Sequence, residues 1–490
     1  MNNIFDKLKN YSDSDYYAFH MPGHKRNLDL MDGTSPYRID ITEIDGFDDL
    51  HHAEGILRDA QERAARVYHA DETHFLVNGS TVGILSAILG TTEKGDSILV
   101  ARNCHKSVYH AIYLNELDPV YLYPKFDTEQ GLSTEIDAAD VQKALEEHPK
   151  IRAVMIVSPT YDGVVSDIEK IAEIVHAKGC PLIVDEAHGA HFGFDPYFPK
   201  SANIYGADLV INSLHKTLPA LTQTALLHVN GDMVKRRKVK QYLDMLQTSS
   251  PSYILMASID ACIGMLEETL ETHSDARSDY KYKNKNIFSE YANRIEALRK
   301  DLKRLKYLKI IQTDNTDRYD RSKFVISVKH APMSSHELYE ILLHRYHLQM
   351  EMLAGTYVLA MTTVGDTQEG LDRLRDALLE IDKEIDTRQG RPAAIETDLP
   401  LSGRQPALEK VWTIAEAVNR RDKIQKRSFE DSIGCISVEY AYLYPPGSPL
   451  IVPGERITKE AVEVLHWYQE HDFSIEGLQS EDGIEVWIDG

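Results

Sequence analysis

Cysteine is scarce in this chain of 490 residues: four occur, at positions 104, 180, 262 and 435. They stand too far apart for the paired spacings of zinc ligands or a redox motif. Buried free thiols are the expectation. No apolar run approaches the roughly 18 residues that a membrane-spanning helix needs. The opening residues, Met1-Asn2-Asn3-Ile4-Phe5-Asp6-Lys7, hold no apolar signal-peptide core. A cytoplasmic protein that does not engage the membrane is expected. Positive charge is short as well, with 54 Lys and Arg against 77 Asp and Glu and a net charge of −23. That balance argues against a nucleic-acid partner, which would require a basic face. It would favour the approach of small cations, although an acidic solvated surface explains it equally well. Internal repeats and low-complexity tracts are also missing.

What is present is an ordinary globular share of apolar residues, 42%, arranged as short apolar strands that alternate with helices. Residues 1–50 read as an irregular N-terminal segment. Its His20-Met21-Pro22-Gly23-His24-Lys25 stretch marks a turn, and the Pro-Gly pair disfavours the helix that would align the two histidines on a metal; no metal is expected. Ile56, Ala60, Ala64 and Val67 then mark an amphipathic helix. Apolar strands at Phe75–Val77, Ser97–Val100, Ala153–Val157, Pro181–Val184 and Asp208–Ile211 each run into a polar cluster. Such alternation predicts a mostly parallel sheet covered on both faces, over a large domain at 51–270. A smaller α/β domain at 271–386 follows, with strands at Lys323–Val328 and Tyr357–Thr363 and helices at His336–Tyr346 and up to Ile385. A linker at 387–400 and a small α+β domain at 401–490 complete the chain.

Ligands of parallel α/β sheets sit outside the carboxyl ends of the strands, where every polar cluster of this chain falls. Lys216 follows one strand, in Ser213-Leu214-His215-Lys216-Thr217, and Asp185 follows the strand before it, in Asp185-Glu186-Ala187-His188. An acid and a lysine so placed are what a pyridoxal 5'-phosphate (PLP) site requires. The lysine forms a Schiff base and the acid keeps the pyridine nitrogen protonated. Gly79-Ser80-Thr81 opens a helix directly after a strand, so free amides and two hydroxyls offer a phosphate site, where the plain alternative is a serine N-cap. Ser213 is a second candidate phosphate donor. His105, just past another strand end, is placed to stack on the pyridine ring or to move a proton. His188 would reach the ring's phenolic side, or be a satisfied core histidine. These residues alone define a PLP enzyme acting on an amino acid. They leave open which bond at Cα breaks.

The chain resembles the short bacterial form of the Orn/Lys/Arg decarboxylases of PLP fold type I. The resemblance rests on Pro22-Gly23-His24-Lys25, Asp48-Asp49-Leu50-His51, Asn103 to Ser107, Asp185 to His188, Ser213 to Gln223 and Tyr444 to Glu455. It implies an aspartate-aminotransferase-like large domain in which Lys216 carries the cofactor, Asp185 pairs with the pyridine nitrogen and His105 stacks on the ring. By the same resemblance Ser80, Thr81, Ser213 and His215 surround the phosphate or the lysine, and Thr160 and His188 line the cofactor site. It implies a homodimer or multiple of dimers, with the Pro-Gly-His-Lys and Tyr-Pro-Pro-Gly elements facing a pocket of this or the neighbouring subunit. The extra N-terminal domain of the long inducible members is not expected, nor is their large assembly. Gly79-Ser80-Thr81 stands where Gly-Thr-Ser is common, and Leu401 to Ile433 departs from the family pattern.

The reading that follows is decarboxylation of a basic L-amino acid. Arginine to agmatine comes first, since the short form resembles biosynthetic arginine decarboxylases, with lysine to cadaverine and ornithine to putrescine as alternatives. The substrate's distal cation needs a carboxylate partner, and Glu439 is the candidate. An aminotransferase or carbon–sulfur lyase on the same fold, and a catalytically silent regulator, are the rival classes.

Overall fold

The computed structural model describes residues 13–25, 27, 36–271, 286–311, 318–387, 405–420, 422–444 and 447–488. The expected linker and the Pro445-Pro446 pair of the Tyr-Pro-Pro-Gly element therefore lie outside the described residues, apart from position 387. Among the described residues no helix is long and apolar enough to cross a membrane.

Helix α1 (Ile56–Val67) precedes a seven-stranded sheet. Its inward face differs by one position from expectation, because Leu57 is buried while Ile56 is 58% exposed. The sheet strands are β1 (Glu72–Leu76), β2 (Ser97–Ala101), β3 (Asp118–Leu122), β4 (Ile151–Val157), β5 (Leu182–Asp185), β6 (Leu209–Asn212) and β7 (Ala225–Val229), in the order β1-β7-β6-β5-β4-β2-β3. All neighbours run parallel except β7, which is antiparallel to both β1 and β6. The β4 to β6 runs are almost entirely apolar because helices cover both faces. Helix α2 (Gly79–Thr91) lies so close to the sheet that a Cβ on Gly83 would stand 2.7 Å from Leu76 Cδ1. Strands β3 and β7 go beyond the sequence expectation: Pro119 weakens the β3 pattern, and β7 follows a polar loop rather than a helix.

The second sheet holds β8 (Lys309–Ile311), β9 (Lys323–Ser327), β10 (Met352–Ala354) and β11 (Tyr357–Met361), in the order β8-β9-β11-β10. It is antiparallel throughout, and helices Ser335–Tyr346 and Gln368–Thr387 accompany it. The described residues of the N-terminal segment take more regular structure than its composition suggests. A short strand, Tyr17–Phe19, pairs parallel with Leu348–Met350. The Gly23 amide donates to the His215 carbonyl at 2.6 Å. A Cβ on Gly23 would come within 2.7 Å of the Leu218 amide, so glycine is needed for this approach. The turn thus braces the back of the Lys216 loop within its own chain.

The C-terminal residues gather a separate apolar cluster around Leu443, Leu450, Ile451, Leu465 and Val486. A buried tie between it and the large sheet is Arg102, which follows β2 and is 1% exposed. Its guanidinium donates to the Pro449 carbonyl at 2.7 Å, the Leu450 carbonyl at 3.2 Å and Glu455 Oε2 at 2.9 Å. The Tyr121 ring stacks beneath it, with the Arg102 Cζ 5.1 Å from the centroid. Glu455 is buried too, so each charge depends on the other. Replacing Arg102 by Met leaves the buried Glu455 carboxylate without its counter-charge. We predict a loss of about 3–5 kcal/mol in equilibrium urea unfolding. An unchanged midpoint would show that the pair does not hold the two parts together.

Candidate active site

The carboxyl ends of β1, β2, β4, β5 and β6 open onto one cavity of about 500 Å³. It gathers Ser80 and Thr81 at the start of α2, His105 after β2, Thr160 after β4, Asp185 and His188 after β5, and Ser213, His215 and Lys216 after β6. Nine residues singled out in the sequence therefore share one wall system.

Glu439 does not. Both its oxygens accept backbone amides of the C-terminal unit, Gln479 N at 3.0 Å and Glu485 N at 2.8 Å, and it is not among the residues lining the cavity. The candidate partner for a distal cation is thus corrected: Glu439 is a brace for two polypeptide segments, and its carboxylate is already satisfied.

Lys216 lies in a single helical turn, Leu214–Thr217. Its Nζ is 3.0 Å from His188 Nε2. Burial lowers the affinity of this amine for its proton, while Asp185 and Glu351 pull the other way. Asp185, at the end of β5, accepts the Ala187 amide at 3.1 Å. Burial pushes its carboxyl up, and Lys216 opposes that rise. An amine ready to lose its proton and an acid in need of a cation thus stand in the same space.

The three cavity histidines are held towards the neutral form. His188 sits well below its ordinary range because of burial first, and then Lys216. Its Nδ1 is buried without a partner among the described residues, while its ring packs on Tyr161 at 4.5 Å. His105 opens onto the cavity and caps helix α3 (Lys106–Leu114). Its Nδ1 accepts the Ser107 amide at 3.3 Å, which assigns the proton to Nε2. The surrounding protein, with Lys216, Lys106 and His110, pulls its pKa down to about 4. His215 donates from Nδ1 to the Thr224 carbonyl at 2.9 Å, and burial lowers it as well.

An anion site is built beside them. Gly79 adopts φ +72°, a left-handed conformation suited to glycine, and its amide donates to the Gln223 carbonyl at 2.9 Å. No side chain caps α2 at Asn78, so the positive helix end faces the cavity with free amides. The Ser80 and Ser213 hydroxyls bond to each other there, and Thr81 stands beside them. Thr160 instead ties its own turn, with Oγ1 accepting the Val164 amide at 3.0 Å. Together the cavity offers an amine, a buried acid and an anion cradle to one guest. Among the described residues no cluster of His, Cys, Asp or Glu could hold a metal.

Two polar groups of the wall carry features that sequence reasoning missed. Tyr161 donates to Glu351 from the small unit, and Asp162 accepts the Tyr357 hydroxyl at 2.6 Å. Both pairs join residues nearly 200 positions apart, so no local pattern announces them.

Residues 2–333 match the family described as Orn/Lys/Arg decarboxylase, major domain, and residues 404–486 match its C-terminal domain. An uncharacterized Bacillus subtilis protein, YaaO, is 36% identical over 94% of this chain and 93% of its own length. An arginine decarboxylase of Bacillus subtilis is 30% identical over 94% of this chain and 92% of its own. The solved lysine decarboxylase LdcF of Francisella novicida superposes with a TM-score of 0.77 at 19% identity. It covers 98% of this chain and 80% of the solved one, a likeness of fold.

Lys323, at the start of β9, is fully buried, with no hydrogen-bond partner for Nζ among the described residues. Burial lowers its pKa from 10.5 to about 8, offset in part by Asp320 and Glu351. Below pH 8 both folded and unfolded chains carry the proton, and the full cost of burying the charge is present. Between about 8 and 10.5 the unfolded chain binds more protons, so stability rises with pH. Lys323→Met is expected to raise the unfolding free energy at pH 7 by about 3 kcal/mol, and to gain progressively less above pH 8. A variant less stable than the parent at pH 7 would contradict this.

Proposed function

The chain belongs to the Orn/Lys/Arg decarboxylase family, the PLP-dependent decarboxylases of basic amino acids, and from that premise we propose that it converts arginine to agmatine and carbon dioxide. The choice of arginine is supported by arginine decarboxylases of three Bacillus species and of Halalkalibacterium halodurans, which are 30–32% identical over more than nine-tenths of this chain. The observation that carries the chemistry is the convergence of Lys216, Asp185 and the uncapped start of α2 on one cavity.

The residues present fit PLP. The start of α2 with Ser80, Thr81, Ser213 and His215 suits the phosphate. Asp185 suits the pyridine nitrogen: its raised carboxyl is that of a buried acid short of a cation, and a protonated ring nitrogen would restore it. His105 offers a flat neutral ring for stacking, while Thr160 and His188 line the remaining edge. The Nδ1 of His188 is a buried nitrogen with no partner among the described residues, free to bond a group of the guest. Lys216 is the amine that would hold the cofactor covalently.

Bound PLP supplies the electron sink that accepts the pair left on Cα as carbon dioxide departs. The chain's own groups do the rest. Asp185 keeps the sink cationic. Leu443 supplies apolar wall that limits hydration of the departing carboxylate. Lys216 Nζ, or His105 once it has taken up a proton, then returns a proton to Cα. The reading extends to a homodimer or multiple of dimers in the cytoplasm, where four cysteines without disulfides fit a reducing compartment.

Purified protein with PLP, offered arginine, lysine and ornithine separately, is expected to release carbon dioxide chiefly from arginine. Cadaverine or putrescine as dominant product would reassign the substrate. A keto acid without carbon dioxide would turn the reading to an aminotransferase. Lys216→Ala is expected to lose the visible absorption of covalently held cofactor, and retention of that band would move the attachment to another lysine.

A further inference from the structure

The decarboxylase reading leaves one demand unmet within this chain. A basic amino acid brings a distal cation into the cavity, and burying it without an opposite charge would be costly. Among the described residues that line the cavity, the carboxylates are Asp185 and Asp162. Asp185 is assigned to the cofactor, which leaves Asp162.

Asp162 stands at the tip of a tight turn after β4. The Thr160 amide donates to the Val164 carbonyl at 2.8 Å and the Gly163 amide to the Thr160 carbonyl at 3.0 Å. Gly163 takes φ +100°, and a Cβ there would meet the Lys323 stem at 2.9 Å, so the turn has little room to shift. The carboxylate is buried, and its one side-chain hydrogen bond among the described residues comes from a neutral group, the Tyr357 hydroxyl at 2.6 Å. It has no ion-pair partner among the described residues. Lys323 acts on it only from a distance, and burial raises its pKa to about 6. This is an acid built into a wall without the cation that would complete it.

The surroundings match the rest of such a guest. Met352 and Ala354, from the strand that pairs with the Tyr357 strand, line the same wall and offer an apolar surface to a methylene stem. The position is within reach of the reacting centre. Tyr161, one residue earlier, packs on His188 at 4.5 Å, and His188 lies 3.0 Å from Lys216 Nζ.

We propose that Asp162, held by Tyr357, receives the distal guanidinium or ammonium of the amino acid and sets the requirement for a basic side chain. The inference rests on the decarboxylase reading. Its test uses PLP-loaded protein and compares arginine with citrulline, an uncharged isostere, through the change each causes in the cofactor's absorption. The parent is expected to prefer arginine by about a hundredfold or more. Asp162→Asn is expected to bring the two ligands near parity by weakening arginine alone, with unchanged citrulline binding showing an intact cavity. A preference that survives in Asp162→Asn would overturn the assignment. If that variant binds neither ligand, Asp162→Glu decides. Its longer stem moves the charge inward and should shift the order among arginine, lysine and ornithine towards ornithine; an unchanged order would overturn the proposal. A parent that decarboxylates none of the three fails earlier, at the reading of the reaction itself, before any variant is compared.

Discussion

An amine loses most of its hydration inside a protein, so the structure around Lys216 has to supply both its position and its compensation. The position comes from the parallel sheet. Strands β5 and β6 are neighbours in register, which brings Asp185, at the end of the first, and Lys216, a short turn beyond the second, into one cavity. Compensation comes from Asp185 and, further off, Glu351. The outcome is an amine that loses its proton more readily than an exposed lysine would, which is the state a nucleophile needs. A solvated lysine on a loop would satisfy none of these conditions.

Holding that loop draws on parts of the chain that are distant in sequence. The N-terminal turn pins it from behind, through the Gly23 amide on the His215 carbonyl. Lys25 anchors the turn in its place by donating to the His20 and Met361 carbonyls at 2.8 Å each. The small unit reaches the cavity through Glu351 on Tyr161 and Tyr357 on Asp162. The C-terminal unit reaches it through Gly447 and Ser448, which are held in place by Arg102 on the neighbouring carbonyls and Glu455. Buried ion pairs of this kind contribute little net stability compared with apolar packing. Their worth here is that Arg102 can be satisfied in one arrangement of the two units and not in others.

The strands that carry Ser80, His105, Thr160, Asp185 and Lys216 were legible because a buried parallel strand is a short apolar run, and polar clusters at its end stand out against it. The anchoring residues were not legible, for a physical reason. Glu351, Tyr357 and Glu439 are side chains whose meaning depends on which backbone lies opposite. Glu439 illustrates the hazard: a carboxylate close in sequence to a motif looked available, and the fold spends it on two amides. Asp162 lay in plain view beside Thr160, but its burial and its tyrosine partner became apparent only once β11 was placed. Two of the four strands of the second sheet, β9 and β11, are legible as apolar runs, whereas β8, β10 and the antiparallel order are not, since short apolar strands read alike in either direction.

Charge around the cavity follows a consistent logic once the histidines are counted as neutral. His105, His188 and His215 all lie near Lys216, and each is driven below its ordinary range chiefly by burial. Were they cationic, they would join Lys216 in repelling a positively charged guest and in stripping the proton from one another. As neutral rings they add no positive charge, and the formal charges among the described residues that line the cavity reduce to one amine, two acids and the partial charge of a helix end. An anionic phosphate suits the helix end, a pyridinium suits Asp185, and a side-chain cation suits Asp162. With those three assignments the phosphate, the ring nitrogen and the side-chain cation of the guest each meet an opposite charge, while the carboxylate that departs is left to the apolar wall.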